Sequence, residues 1–139
     1  MSATFVLDCS VTMAWCFGDE ATKAAYSVLD RLASETAVVP SHWFLEVANV
    51  LTMTEKRKRM TAQSSTEFLG SLGTLDIEID TATADRTFSH VLPLCRKHGL
   101  TSYDAAYLEL AIRRQLPLAS LDTELRAAAK RAGIEVLAK

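Results

Sequence analysis

Short apolar runs alternate with stretches of helical period along nearly the whole chain, and this alternation restricts the fold more than any other feature. Strand-like runs are expected at 4–7, 37–39, 75–79, 117–121 and 134–137, the second closed by Pro40. Helical patterns are expected at 11–17 and 21–34, then from a cap at Ser41, where Phe44, Val47, Ala48 and Leu51 recur at three- and four-residue steps. Thr61 opens a helix that ends near Gly73, and further helices are expected over 81–97, 102–115 and 123–132. Strands that alternate with helices form a mostly parallel sheet covered on both faces. The expectation is an α/β fold of three layers, α/β/α, around four to five strands, with 1–139 as a single domain.

One connection orients the whole arrangement. Only Gln115-Leu116-Pro117 separates a helix from the fourth strand, so that helix must end where the strand begins. Its start, near Asp104, then lies at the other edge of the sheet, by the strand carboxyl ends. Asp8 follows the first strand, Glu46 lies in the second turn of the helix after the second strand, and Asp122 follows the fourth strand. All four acids are therefore expected at the edge where open α/β sheets bind ligands.

Four carboxylates in one cleft repel one another, and a divalent cation removes that repulsion. Oxygen-only ligands favour Mg²⁺ or Mn²⁺ over zinc. Such an ion can activate water and neutralise charge on a phosphodiester under attack. Taken singly, three of the acids have simpler explanations. Asp8 can shape a turn, Asp104 completes a capping-box spacing from Thr101, and Asp122 can cap the next helix. Glu46 is flanked by Leu45, Val47 and Ala48, where a carboxylate near an apolar face needs a partner or an ion.

Composition excludes other classes. The net charge is −2, so no bulk basic field is available to grip nucleic acid. Cys9, Cys16 and Cys95 form no CxxC pair, and His42, His90 and His98 are scattered, so no zinc spacing exists. The cysteines are expected to be reduced packing residues of a cytoplasmic protein. No apolar run approaches a membrane span, and the acid within the first apolar stretch argues against a signal peptide.

The residues around the acids resemble those of PIN domains of the VapC toxin type. Val6-Leu7-Asp8-Cys9-Ser10-Val11, with Trp15 and Glu20 beyond, is similar to the opening motif. Pro40-Ser41 followed by Glu46-Val47-Ala48-Asn49-Val50-Leu51 is similar to the second motif, and Leu100 through Tyr107 to the third. Leu118-Ala119-Ser120-Leu121-Asp122, then Leu125 and Ala128-Ala129, is similar to the fourth. The likeness runs from Phe5 to about Leu137, with no departure at the acids. Cys9 stands where Thr or Ala is commoner.

The resemblance implies a Mg²⁺- or Mn²⁺-dependent endoribonuclease, the toxin of a toxin–antitoxin pair, whose products carry 5′-phosphate and 3′-hydroxyl ends. It implies that Asp8, Glu46, Asp104 and Asp122 bind metal and catalyse, supported by Ser10 and Ser120. It further implies a homodimer, a VapB-like antitoxin partner and an RNA substrate. Two alternatives stand beside it: an RNA-processing PIN nuclease without antitoxin, and a non-catalytic binding module using the acidic pocket. The basic run Lys56-Arg57-Lys58-Arg59 and the pairs Arg113-Arg114 and Lys130-Arg131 fit either an RNA grip or solvated helix ends. Trp15, Phe17 and Tyr26 fit core packing or an antitoxin groove. His42 is assigned no catalytic role.

Overall fold

The computed structural model describes residues 2–18 and 22–138. Glu20 lies outside them. The first strand, β1 (Phe5–Leu7), leads into α1 (Cys9–Phe17) and α2 (Thr22–Arg31). Then come β2 (Ala37–Pro40), α3 (His42–Lys56), α4 (Ala62–Leu72) and β3 (Ile77–Asp80). A broken helical segment follows: α5 (Thr83–Arg86), a π-type turn (Thr87–Val91) and α6 (Leu92–His98). The chain closes with α7 (Ser102–Arg114), β4 (Leu118–Ala119), α8 (Thr123–Arg131) and β5 (Val136–Leu137).

The five strands form one parallel sheet in the order β3-β2-β1-β4-β5. Successive strands step one way from β1 and the other way from β4, so the order reverses between these two. Such a reversal opens a crevice at the carboxyl ends of the adjoining strands. Phe5, Val6, Leu7, Val38, Val39 and Leu118 are wholly buried, as expected for strands covered on both faces. Helix α7 packs across β1, β2 and β4, and its Ala105–Ala111 stretch is buried. The architecture is the expected three-layer α/β/α arrangement.

Several expected boundaries move, each for a local reason. The fourth strand has two residues rather than five, because side chains claim the next backbone groups. Arg126 Nη1 donates to the Ser120 carbonyl (2.6 Å), and the Leu121 amide donates to Ser10 Oγ (2.9 Å). The fifth begins at Val136 because the Ile134 amide turns back to the Ala129 carbonyl (2.9 Å) at the end of α8. The third starts at Ile77 because the Leu75 amide still closes a turn on Leu72 (3.1 Å). Ser41 makes no side-chain cap: its backbone is already helical, at φ −60° and ψ −29°. The helix expected over 81–97 is broken. Pro93, in the first turn of α6, has no N–H to continue the helical ladder, and a wider turn precedes it. The buried stripe of α3 is Trp43, Val47 and Leu51, which leaves Phe44 and Ala48 on the surface.

Candidate metal centre

Strand β1 delivers Asp8 to the point where the strand order reverses. Pairing aligns Leu7 with Ala119, and the Asp8 amide extends the ladder to the Ala119 carbonyl (3.2 Å). Asp8 then turns the chain into α1 as its N-cap. Its Oδ1 accepts from the Val11 amide (3.1 Å) and from Ser10 Oγ (2.7 Å). The capping explanation and a site role are therefore compatible in one residue. Asp122 follows the same pattern on the adjacent strand, capping α8 through Oδ2 and the Leu125 amide (2.8 Å). Its own amide donates to Ser120 Oγ (3.1 Å).

Helices bring the other two acids. Thr101 caps α7 by accepting from the Asp104 amide (3.2 Å), and its hydroxyl also interacts with the Asp104 carboxylate. Glu46 sits in the second turn of α3, half-buried, and Oε1 accepts a hydrogen bond from the Tyr107 hydroxyl (2.5 Å). The residue expected to need a partner has one, and that partner comes from α7.

The acids share one electrostatic neighbourhood. Burial pushes the Asp8 carboxyl up to about 6, while the Ser120 and Ser10 hydroxyls pull the other way and the Asp104 charge adds to the rise. Burial also raises Asp104, followed by repulsion from Asp122 and Glu46. Burial pushes the Cys9 thiol up to about 12, reinforced by the charges of Glu46, Asp8 and Asp104. This thiol stays protonated beside the acids and makes a poor nucleophile. The three cysteines are free.

A second set of acids shows what the first set lacks. Asp80 and Glu109 are buried, yet arginines pair with both. Arg113 bridges Asp80 (2.8 Å) and Glu109 (3.0 Å), Arg86 holds Glu109 (2.7 Å), and Arg114 holds Asp80 (3.0 Å) and Glu78 (2.7 Å). The Arg113 hydrogen bonds lead in bringing the Asp80 carboxyl down to about 2. Among the described residues, no Lys or Arg pairs with Asp8, Glu46, Asp104 or Asp122. Glu46 has only His42 Nε2 at 3.5 Å. Asp8 is buried, Glu46 and Asp104 are half-buried and Asp122 is exposed; a buried carboxylate without a cation calls for charge compensation from outside the chain.

The donor set is all oxygen, which fits Mg²⁺ or Mn²⁺. Among the described residues, no group of three or more His, Cys, Asp or Glu side chains is placed to hold a metal ion. Mg²⁺ commonly takes only one or two carboxylates and completes its shell with water or substrate oxygens.

The sequence reading missed Tyr107 and the arginine network. Tyr107 carried a signal, since a tyrosine one turn after Asp104 on a buried helix needs a hydroxyl partner. Arg113 and Arg114 had fitted an RNA grip or solvated helix ends. They are instead bound to Asp80, Glu109 and Glu78. Lys56, Arg57, Lys58 and Arg59 are exposed. Trp15 is core, its Nε1 donating to the Ala25 carbonyl (2.8 Å), whereas Phe17 and Tyr26 are partly exposed.

The PIN domain family matches residues 5–131. The chain belongs to the PIN domain family. PIN domains are generally nucleases, and Asp8 and Asp122 follow the two strands between which the sheet order reverses. Solved structures share the architecture. PAE2754 from Pyrobaculum aerophilum is 21% identical over 98% of this chain and 92% of that chain, with a TM-score of 0.67. VapC20 from Mycobacterium tuberculosis, a sarcin–ricin loop cleaving toxin, is 16% identical over 90% and 95%, at 0.65. A toxin–antitoxin complex from Klebsiella pneumoniae is 17% identical over 91% of each chain, at 0.62. At these identities the likeness is one of fold. No curated protein sequence matches the chain. Among the described residues, no helix is long and apolar enough to cross a membrane.

Proposed function

We propose that this PIN domain is a divalent-metal-dependent endoribonuclease, the toxin of a toxin–antitoxin pair. Asp8, Glu46, Asp104 and Asp122 would hold one or two Mg²⁺ or Mn²⁺ ions at the carboxyl edge of β1 and β4. The observation that carries this reading is a buried Asp8, with half-buried Glu46 and Asp104 and an exposed Asp122 around it, none with an arginine or lysine partner among the described residues, in a chain that neutralises its other buried acids with arginines. When bound, the ion supplies a water of lowered pKa and positive charge for the phosphate oxygens.

The chain's own residues supply position. The cap geometry of Asp8 and Asp122 fixes one oxygen of each carboxylate on a helix amide, and the Ser120 hydroxyl adds a further hydrogen bond to Asp8. Ser10 and Ser120 support Asp8 and tie the two strand exits together. No side chain needs to become covalently attached to the RNA.

The antitoxin part of the proposal is supported by the toxin–antitoxin complexes among the structures of like fold. Exposed apolar residues are available for such a partner. Phe44 and Leu69 border an apolar groove of about 400 Å³ between α3 and α4, which Ile79 of the edge strand β3 also lines. A homodimer and a cytoplasmic location belong to the same proposal.

The test is RNA-end mapping with purified wild-type chain and Asp8→Ala, with Mg²⁺ or Mn²⁺ added and withheld. Cleavage that needs both Asp8 and the ion, leaving 5′-phosphate and 3′-hydroxyl ends, is the expected result. Metal-independent cleavage, or equal cleavage by Asp8→Ala, overturns the catalytic assignment. Tight binding of a partner without cleavage of any RNA would make the chain a binding module instead. Growth arrest on expression, relieved by a small protein encoded alongside, separates the toxin from an RNA-processing nuclease.

A further inference from the structure

Glu46 and Asp104 belong to different helices, and one hydrogen bond sets them against each other. Tyr107 stands three residues after Asp104 on α7, so the two side chains share a face of that helix. Tyr107 is only 1% exposed. Its hydroxyl donates to Glu46 Oε1 (2.5 Å), a carboxylate oxygen that can only accept. His42 makes a second tie from the first turn of α3. Its Nε2 lies 3.0 Å from the Tyr103 carbonyl, which can only accept, so Nε2 carries the proton. The His42 ring also meets Tyr107 edge-on, with centroids 5.0 Å apart. Glu46 Oε2 takes no hydrogen bond among the described residues.

We propose that Tyr107 is a positioning residue of the metal centre: its buried hydroxyl orients the Glu46 carboxylate and, through α7, sets that carboxylate relative to Asp104. This rests on the reading of Glu46 as an ion-holding group. The hydroxyl acts through Glu46 and is assigned no contact with the ion or the RNA. It occupies Oε1 and leaves Oε2 open to a ligand. A phenol suits this task because it donates one proton from a rigid ring and stays neutral, adding no charge to offset the acids.

The alternative is that Glu46 merely satisfies a buried phenol. A double-mutant cycle separates the two. Mn²⁺ binding by the full chain is followed by loss of the free-ion electron paramagnetic resonance signal. The chains compared are wild type, Tyr107→Phe, Glu46→Gln and the double variant, each with its thermal melt. The phenylalanine ring fills the same space, so Tyr107→Phe tests the hydroxyl alone. Tyr107→Phe is expected to weaken Mn²⁺ binding about 10-fold or more, as loss of such a supporting hydrogen bond does. It is expected to add no further loss in the Glu46→Gln background. Binding by Tyr107→Phe within about twofold of wild type, against the ~10-fold expected of such a partner, overturns the positioning role and leaves the metal centre standing. Equal weakening in both backgrounds also overturns it, because the hydroxyl then acts on the fold and not on Glu46. Absence of Mn²⁺ binding by the wild-type chain overturns the proposed function, and Tyr107's role with it.

Discussion

Ser10 joins Asp8 to the exit of the fourth strand: its Oγ donates to Asp8 Oδ1 (2.7 Å) and accepts from the Leu121 amide (2.9 Å). One hydroxyl therefore spans the two strands between which the sheet order reverses. Ser10→Ala removes both bonds and leaves the Leu121 amide without its acceptor. The expected cost is about 1–2 kcal/mol, read from the urea midpoint, with slower metal-dependent cleavage. An unchanged midpoint and an unchanged rate would remove Ser10 from the supporting role.

Thr101 caps α7 by accepting from the Asp104 amide, so the cap survives loss of the Asp104 charge. Asp104→Asn is nearly isosteric and keeps the amide that Thr101 accepts. The variant is expected to fold and to lose cleavage by about 100-fold or more, or ~3 kcal/mol of barrier. Retained cleavage in a nuclease-free preparation would contradict its assignment.

Asp8 sets a pH dependence of stability in the chelated protein. Its folded carboxyl titrates at about 6, above the 3.8 of an ordinary aspartate, and burial is the leading cause. The folded chain thus holds this proton more tightly than the unfolded one. Stability is full below pH ~4 and falls as the pH rises through about 6, by about 3 kcal/mol from this group. Asp8→Asn keeps a side-chain oxygen to cap α1 and loses the charge. In chelator it should melt higher than wild type at pH 7.5 and show a flatter profile between pH 4 and 7. Added Mn²⁺ should stabilise wild type more than the variant. Superimposable pH profiles for the two chains would contradict this account.

The arginine network makes the opposite prediction. Arg113 holds Asp80 and Glu109, which are only 4% and 3% exposed. Arg113→Met leaves them to Arg114 and Arg86 and should cost about 3 kcal/mol, the lower end for breaking a buried pair. Asp80 is held down to about 2, first by Arg113, so its stabilisation is present above pH ~4 and lost as the pH falls toward 2. Removing Arg113 therefore costs most near neutral pH and least in acid. Arg113 lies nine residues beyond Asp104 on α7, about 13 Å along the axis, so metal-dependent cleavage per folded molecule should persist. Loss of cleavage with unchanged stability would mean the network belongs to the site.

Chain order alone made part of this legible. The three-residue link before β4 placed the start of α7 at the carboxyl edge, and Asp104 does share a field with Asp8, Glu46 and Asp122. Spacing could not separate capping from ligand duty, because capping by Asp8 and Asp122 engages only one oxygen of each carboxylate. What escaped the reading depends on pairing between distant segments. Tyr107 and Glu46 are sixty-one residues apart, and Arg113 and Asp80 thirty-three. A doublet such as Arg113-Arg114 reads as a solvated helix end until the strand opposite it is known. The short β4 was hidden for the same reason, since Arg126 and Ser10 reach in from elsewhere to claim its last backbone groups.

The central claim is that Asp8, Glu46, Asp104 and Asp122 serve a common divalent ion. Anomalous diffraction at the manganese edge, from crystals of the wild-type chain soaked in Mn²⁺, tests it most directly. The account predicts a peak within about 2.0–2.6 Å of oxygens from at least two of these carboxylates. Full occupancy elsewhere on the protein, with no peak among the four acids, would contradict it.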